Sequence, residues 1–577
     1  MGHRDHRDHR GQRDTELDGV LVTLVRSGIA AVSLAMMTAC GSVMIGGSPP
    51  GPRTRAERTA YRETSHYADV VAFIDSLKGR PGLTFGSIGR TSEGREIPYV
   101  IASRPQVSTP DEARKLGRPV VYVQGNIHAG EIEGKEALLS LLRDLSNPRR
   151  PNALDSVILI AVPIYNADGN EKFGSQDTTR GSQNGPEQVG VRPNAQGLDL
   201  NRDYIKAEAP ETRASLAMFN AWNPDVFVDL HTTNGSYHGY ALTYAPPLHP
   251  SSPLGAFTRD SLLPVLRERM RSRRRFETFD YGDFVSADTL SKGWVTFDSR
   301  PRFGTNYYGL RGGISILSEA YSHDPMQRRV ASTYAFVGEI LSLVGEQALQ
   351  IKSMTQAVRS SAIRNDAAIF PGDDRIGNDL HDDRRRAALR STMRAAPYLQ
   401  GVVAEIVERT SDSARTQPGV PKGRRRTGRF TTVQMSVYDR FAPTLSEKKF
   451  GSYFIARGDT QVVGALRRHG VSVSTLSRDW RGPVHFFRID SAAASARPFQ
   501  GHREMRIDGR WIQTERTIPA GSFLVRTNQP LGLLAFYMLE PQSDDGLVTW
   551  NYFDAAGKPG AEFPVLRTFI PLPPLSQ

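Results

Sequence analysis

Cysteine is almost missing from this sequence: Cys40 is the one thiol in 577 residues. No disulfide can therefore close within the chain, and the fold has to rest on buried apolar surface. Long apolar runs are missing too. Beyond the first forty residues no stretch reaches the ~20 residues that a membrane-crossing helix needs. No repeat at a period of roughly 20–50 residues is found, which excludes solenoids and propellers. Nucleic-acid motifs and aromatic platforms are absent as well. The net charge of +12 is largely arginine in three clusters, Arg267–Phe276, Asp382–Arg390 and Lys422–Arg429. Without interleaved aromatics these read as solvated faces or exposed linker, and no nucleic-acid partner is expected.

What is present is ordinary globular material. The apolar share is 39% and the charged share 23%, as in soluble proteins, and the length suggests two or three domains. The N-terminus stands apart. "MGHRDHRDHRGQRD" spaces His3, His6 and His9 evenly, but reads as low-complexity sequence or an upstream start. After Arg26, an apolar run from about Gly28 to Ala39 has the length of a signal-peptide core and ends in small residues at Cys40. It resembles a bacterial lipoprotein signal, in which Cys40 would carry the lipid. Met37, unusual three residues before such a cysteine, leaves ordinary signal cleavage open. A periplasmic or cell-envelope protein, anchored or released, is expected, with no membrane contact beyond that N-terminal lipid.

Five regions are expected: 1–40, extension and signal; 41–60, a Gly/Pro/Arg tether; 61–345, an α/β domain; 346–428, a helical connector and Arg-rich linker; and 429–577, a C-terminal α+β domain. Ser65 is placed to cap a helix over "HYADVVAFIDSL". "RPVVYVQG" (118–125), "DSVILIAVPIYN" (155–166), "DVFVDL" (225–230) and "GISILSEA" (313–320) read as buried strands. Leu138, Leu141, Leu142 and Leu145 give the segment between the first two a helical period. Strands alternating with helices predict a mixed, mostly parallel sheet sandwiched by helices. Helical character is read weakly as far as Ile406. "TIPAGSFLVRTNQ" and "GLVTWNYFD" read as strand-rich.

Chemistry-bearing residues cluster at predicted strand ends. His128 and Glu131, in "GNIHAGEIEGKEA", follow one buried strand; His231, in "VDLHTTNG", follows another; Glu319, in "ISILSEAY", closes a third. Ligands in open α/β sheets bind beyond the carboxyl ends of the strands. Two imidazoles and one carboxylate suit a zinc ion with an open position. Glu319 is then a candidate proton acceptor, since a glutamate closing an apolar strand is costly to bury without a role. Between these halves lies "RPNAQGLDLNRDY" (192–204), a turn-rich loop whose arginines suit a developing oxyanion or a substrate carboxylate. His238, His249 and His323 lie near these segments, and His469, His485 and His502 lack metal-like spacing; all six read as surface or satisfied core histidines rather than ligands.

Taken together, "HAGE", "R-x-N-x-x-G-x-D-L-N-R", "DLH" and the strand-terminal glutamate resemble the zinc carboxypeptidase family, the carboxypeptidase A-like metallopeptidases. "SIGRTSEGREI" and "PIYNADGNE" add to the resemblance, which covers roughly Tyr61 to Val344. It implies one Zn²⁺ held by His128, Glu131 and His231, with Glu319 as general base. It further implies Arg192 at the scissile carbonyl, and Asn201 with Arg202 on the terminal carboxylate of a peptide. Tyr307 or Tyr308 is implied as the mobile tyrosine. Gly130 stands where digestive members carry an arginine, so one cationic subsite is expected to be missing. "NRD" replaces the commoner "NRN" at Asn201–Asp203. Hydrolysis of C-terminal peptide bonds is thus expected. Two alternatives stay open: a zinc amidohydrolase of acyl-amino acids or cell-wall peptides, and a catalytically degenerate envelope binding protein.

Overall fold

The computed structural model describes residues 51–147, 152–286, 289–364, 386–411, 417, 420, 422–449, 451–554 and 557–570. The expected signal, the lipidation site Cys40 and most of the tether lie outside the described residues. Among the described residues no helix is long and apolar enough to cross a membrane.

The four expected buried strands all lie in one sheet, which has eight strands. In chain order they are β1 (Leu83–Arg90), β2 (Glu96–Ala102), β3 (Val120–Gly125), β4 (Ile158–Val162), β5 (Val226–Thr232), β6 (Leu242–Ala245), β7 (Thr278–Asp280) and β8 (Ile314–Ala320). Across the sheet the order is β1-β2-β4-β3-β5-β8-β6-β7. The central four, β4, β3, β5 and β8, run parallel. Antiparallel pairing marks β1 with β2, β2 with β4, and β8 with β6, while β7 runs parallel to β6. The parallel strands are buried along their whole length, as strands covered on both faces must be.

Helices cover both faces. α1 (Tyr67–Asp75), α2 (Glu133–Leu145) and α3 (Met326–Glu346) share one core with Val121, Leu159, Val226 and Ile316. α4 (Pro210–Trp222) and α5 (Gly304–Leu310) pack on the opposite face with Tyr122, Ile160 and Phe227. Ser65 does not cap α1. His66 takes that position, and the amide and hydroxyl of Ser65 instead donate to the buried Glu136 carboxylate at 2.6 and 3.1 Å. A buried carboxylate needs such donors more than an exposed helix start does.

The helical reading beyond residue 346 holds only as far as α6 (Ala348–Arg364). Where helix was expected up to Ile406 there are strands, β9 (Arg386–Arg394) and β10 (Gln400–Arg409). Each gains an antiparallel partner distant in sequence: β10 pairs with β11 (Arg424–Met435), and β9 with β12 (Arg440–Lys448). That pairing outweighs the weak local helical preference. A six-stranded sheet follows, built from β13 (Ser452–Ile455), β14 (Ser474–Thr475), β15 (Trp480–Ala494), β16 (Met505–Ile518), β17 (Phe523–Arg526) and β18 (Leu566–Thr568). The segment 546–553, expected as strand, is turn. Its Leu547, Val548 and Trp550 are buried in the core nonetheless. That core is continuous with Phe219, Tyr307 and Tyr308 of the first region. The described residues accordingly form one compact unit.

Candidate metal centre

The parallel register decides the site. Glu319 and His231 are direct partners on neighbouring parallel strands, and Gly125 at the end of β3 is the partner of Leu230. His128, Glu131, His231 and Glu319 thereby meet beyond the same strand ends. The loop after β3 is shaped by Asn126, which adopts a left-handed φ of 65° and donates from its side chain to the Ala129 carbonyl at 3.0 Å. Asparagine tolerates that conformation better than most residues. Helix α2 also comes unusually close to the sheet. A Cβ on Gly134 would lie 2.7 Å from Leu230 Cβ, and one on Gly125 2.8 Å from the Gly134 carbonyl carbon. Larger residues at either position would push the helix start away from His231.

The donor atoms are already gathered. His128 Nδ1 lies 3.0 Å from Glu131 Oε1 and 3.2 Å from His231 Nδ1; His231 Nδ1 lies 2.9 Å from Glu131 Oε2. One ligand atom from each of the three residues falls within 4.8 Å of the others, and all three side chains are buried. A carboxylate lies on the outer side of each imidazole. Asp199 Oδ1 is 3.0 Å from His128 Nε2, and Asp229 Oδ2 is 3.0 Å from His231 Nε2. A proton on each Nε2, facing an acid, leaves the two Nδ1 lone pairs converging on one point. That donor set fits zinc with one position open to solvent or substrate.

Electrostatics agree with a cation site. Burial raises the Glu131 carboxyl, but His128 and Arg180 outweigh it and hold the group well below the usual carboxylate range. Burial likewise raises Asp199, and His128 with Arg192 and Arg202 overcomes it, so this carboxyl also stays ionised. Glu319 behaves in the opposite way. Burial pushes its carboxyl up to about 8, against the pull of His231. Its Oε2 is buried and has no hydrogen-bond partner. A buried acid whose Oε2 has no hydrogen-bond partner, beside a candidate cation site, is not held there as a structural anchor.

A cavity of about 230 Å³ opens over these groups, lined by His128, Glu131, His231, Glu319, Arg192, Asn201 and Arg202. Asp199 caps the short 3₁₀ turn Leu200–Arg202, accepting the Asn201 amide at 2.9 Å. Asn201 Oδ1 in turn accepts the Gly304 amide at 2.9 Å, which frees its amide nitrogen for the cavity. The Arg202 guanidinium sits 4.1 Å above the Phe303 ring. Arg192 Nε donates to Asp199 Oδ2 at 2.9 Å, and its Nη1 approaches Glu131 Oε1 at 3.5 Å.

Tyr307 and Tyr308 are not brought to the cavity. Helix α5 is buried on every side; Tyr307 is hydrogen-bonded to His469 Nδ1 at 2.7 Å, and Tyr308 stacks on Phe219 at 3.6 Å. The tyrosine that lines the cavity is Tyr281, whose hydroxyl accepts from Asn234 Nδ2 at 3.1 Å. It lies in an aperiodic loop and carries no sequence signal. Asp229 was legible in principle, being two residues before His231 on the same strand and so on the same face. The gap at Gly130 is filled from elsewhere. A Cβ there would lie 2.8 Å from Arg180 Cγ, and Arg180 Nη1 donates to Glu131 Oε1 at 2.9 Å. The Arg180 stem thus fills the space beside Gly130, and its guanidinium is spent on the ligand carboxylate. His238 and His469 are buried away from the donors, and desolvation pushes each down to about 3.

Behind the ligands, the fully buried Arg329 is paired with Glu133, and donates to the carbonyls of Asn184, Ser322, Asp324 and Gly185 at 2.7–3.1 Å. Glu133 also accepts from the Thr232 hydroxyl, next to His231. Arg329→Met is expected to destabilise the protein by about 3–5 kcal/mol, because it strands a buried carboxylate. Denaturant unfolding checks this, and a loss below ~1 kcal/mol would contradict the pairing's importance.

Comparison with known proteins gives a consistent picture. The sequence model of the zinc carboxypeptidase family matches residues 70–253. That span holds the three donors, Arg192, Asn201 and Arg202; Tyr281 and Glu319 lie beyond it. Carboxypeptidase 2 of Trichophyton tonsurans is 24% identical over 499 residues, 83% of this chain and 81% of the relative. Carboxypeptidase D of Mus musculus is 29% identical over 235 residues, 38% of this chain and 16% of that protein. A solved metallo-carboxypeptidase from Burkholderia cenocepacia aligns with 49% of this chain and 70% of its own, at 19% identity and a TM-score of 0.37.

Proposed function

We propose that this chain, which carries a zinc carboxypeptidase domain and uses Zn²⁺, removes residues one at a time from peptides with a free C-terminal carboxylate, with Glu319 as general base. The observation that carries this reading is the content of one cavity: a His–Glu–His donor set, an unpartnered acid, and a cationic end formed by Asn201 and Arg202.

His128, Glu131 and His231 would hold the zinc ion, which would supply Lewis acidity for the scissile carbonyl and for an attacking water. The chain's own groups supply the rest. Glu319 Oε2 takes the proton of the attacking water and delivers it to the leaving amine. Arg192 balances negative charge developing on the scissile carbonyl oxygen. The Arg202 guanidinium and the Asn201 amide hold the substrate's terminal carboxylate, so that the last peptide bond, rather than an internal one, faces the base. Tyr281 presents its hydroxyl from the wall of the same cavity.

Mass spectrometry of peptide digests, with and without a chelator, tests the reading directly. A ladder shortened stepwise from the C-terminus, absent under chelation and restored by zinc, is expected. Internal cleavage, or turnover of acyl-amino acids alone, would transfer the site to a different hydrolase class. A zinc-loaded protein inert to a broad peptide library would instead favour the binding-protein alternative.

The carboxylate grip has its own test. Arg202→Met is expected to raise KM by about 10- to 100-fold, the worth of a hydrogen bond to a charged group. C-terminal amidation of the peptide should cost the intact protein a similar factor and the variant almost nothing further. Equal cleavage of free and amidated peptides by the intact protein would contradict the grip. Export, with the chain anchored through Cys40 or released, is part of the same proposal and rests on the N-terminal apolar run alone.

A further inference from the structure

We propose that Gln500, in the C-terminal β-rich region, is a positioning residue of the metal centre: its side-chain carbonyl holds the Asp199 amide and so fixes the loop that orients His128, Asn201 and Arg202. The inference rests on the functional reading above for its effect on turnover, but not for its effect on zinc affinity.

The contact is a single hydrogen bond, Asp199 N–H to Gln500 Oε1 at 2.8 Å. What it restrains is the residue on which the loop converges. The Asp199 carboxylate lies 3.0 Å from His128 Nε2, accepts the Asn201 amide at 2.9 Å, and accepts Arg192 Nε at 2.9 Å. A shift of Asp199 therefore displaces a metal ligand and the carboxylate grip together.

The backbone at Gln500 shows that the contact is built in. Phe499 and His502 exchange backbone hydrogen bonds of 2.7 and 3.0 Å around a two-residue turn. Gln500 has φ 50° and Gly501 φ 83°, so both central residues are left-handed. Asparagine and glycine suit that first position; glutamine is strained there. Its longer side chain is what reaches the Asp199 amide. The turn is also clamped to the catalytic region on both flanks. His502 Nε2 lies 2.8 Å from Glu208 Oε1, and the Arg302 guanidinium lies 5.3 Å from the Phe499 ring centre. Arg302 is itself held by Asp545 of the C-terminal region, which accepts its amide at 2.6 Å and its Nε at 2.9 Å. Arg302 immediately precedes Phe303, the ring beneath Arg202.

The strain provides the test. Gln500→Gly relaxes the turn but deletes the acceptor, so a purely structural residue would be unharmed or improved by it. The expected result is a thermal midpoint equal to or above that of the intact protein. Zinc affinity, read by competition with a chromophoric chelator, should be weaker by about 10- to 100-fold, with kcat/KM lowered by a similar factor. Gln500→Glu, which keeps an acceptor of the same length, should recover most of both losses, and Gln500→Met should not. Zinc affinity and kcat/KM within about twofold of the intact protein in Gln500→Gly would overturn the proposal. So would equal losses in the Glu and Met variants. If the intact protein cleaved no peptide, the functional reading would fall, while the zinc affinities would still decide the role of Gln500.

Discussion

Glu319→Gln is expected to lower kcat/KM by about 10²- to 10⁴-fold while leaving one zinc bound per chain. The range is what a positioned general base contributes to a proton-transfer step. The substitution is close to isosteric and leaves the strand register with His231 intact, and no hydrogen bond joins the Glu319 side chain to the donor set, so the three ligands should keep their places. Its buried Oε2 has no partner to lose. Burial pushes the carboxyl up to about 8. A neutral amide is therefore tolerated at this buried position, and stability should hold. Metal analysis, unfolding and steady-state kinetics on one preparation check the three statements together. Activity within about tenfold of the intact protein would remove Glu319 as the base.

The second large effect is expected at the ligands. His231→Ala should abolish stoichiometric zinc and reduce turnover to the background of the metal-free protein, as should His128→Ala. Chelation of the intact protein should do the same and be reversed by zinc. The two routes must agree, because each removes the same ion. His231 is the sharper case. Its Nδ1 is 2.9 Å from Glu131 Oε2, and its removal leaves Asp229 buried beside an empty space. Some loss of stability is therefore expected for His231→Ala in addition to metal loss. Chelation removes the ion without changing a side chain and so separates the two effects. A His231→Ala protein that retained zinc and turnover would place the site elsewhere.

The site divides cleanly into parts that local sequence could reveal and parts it could not. His128, Glu131, His231 and Glu319 each follow or close a run of apolar, β-branched residues, so strand-end placement could be read from each segment alone. The helix starting at Glu133 was visible in the spacing of its leucines. By contrast, Arg180 reaches Glu131 from a loop without period or repeat, and Tyr281 enters the cavity from another. Tyr307 and Tyr308 sit in an aromatic-rich segment near Glu319, but a fully buried helix turns both into the core. Proximity in sequence was a poor guide there because helix burial, not distance along the chain, fixes the direction of a side chain.

The same division applies to the whole chain. By itself the sequence determined the elements that bury themselves: alternating apolar strands and helices, and donors at the ends of those strands. These depend on short-range periodicity, which the hydrophobic effect reads locally. Only the tertiary structure decided that β9 and β10 are strands rather than helix, and that Asp199 is gripped by Gln500 from a turn three hundred residues away. Those outcomes depend on partners brought together by chain closure, and no local pattern records which distant backbone or amide will be waiting.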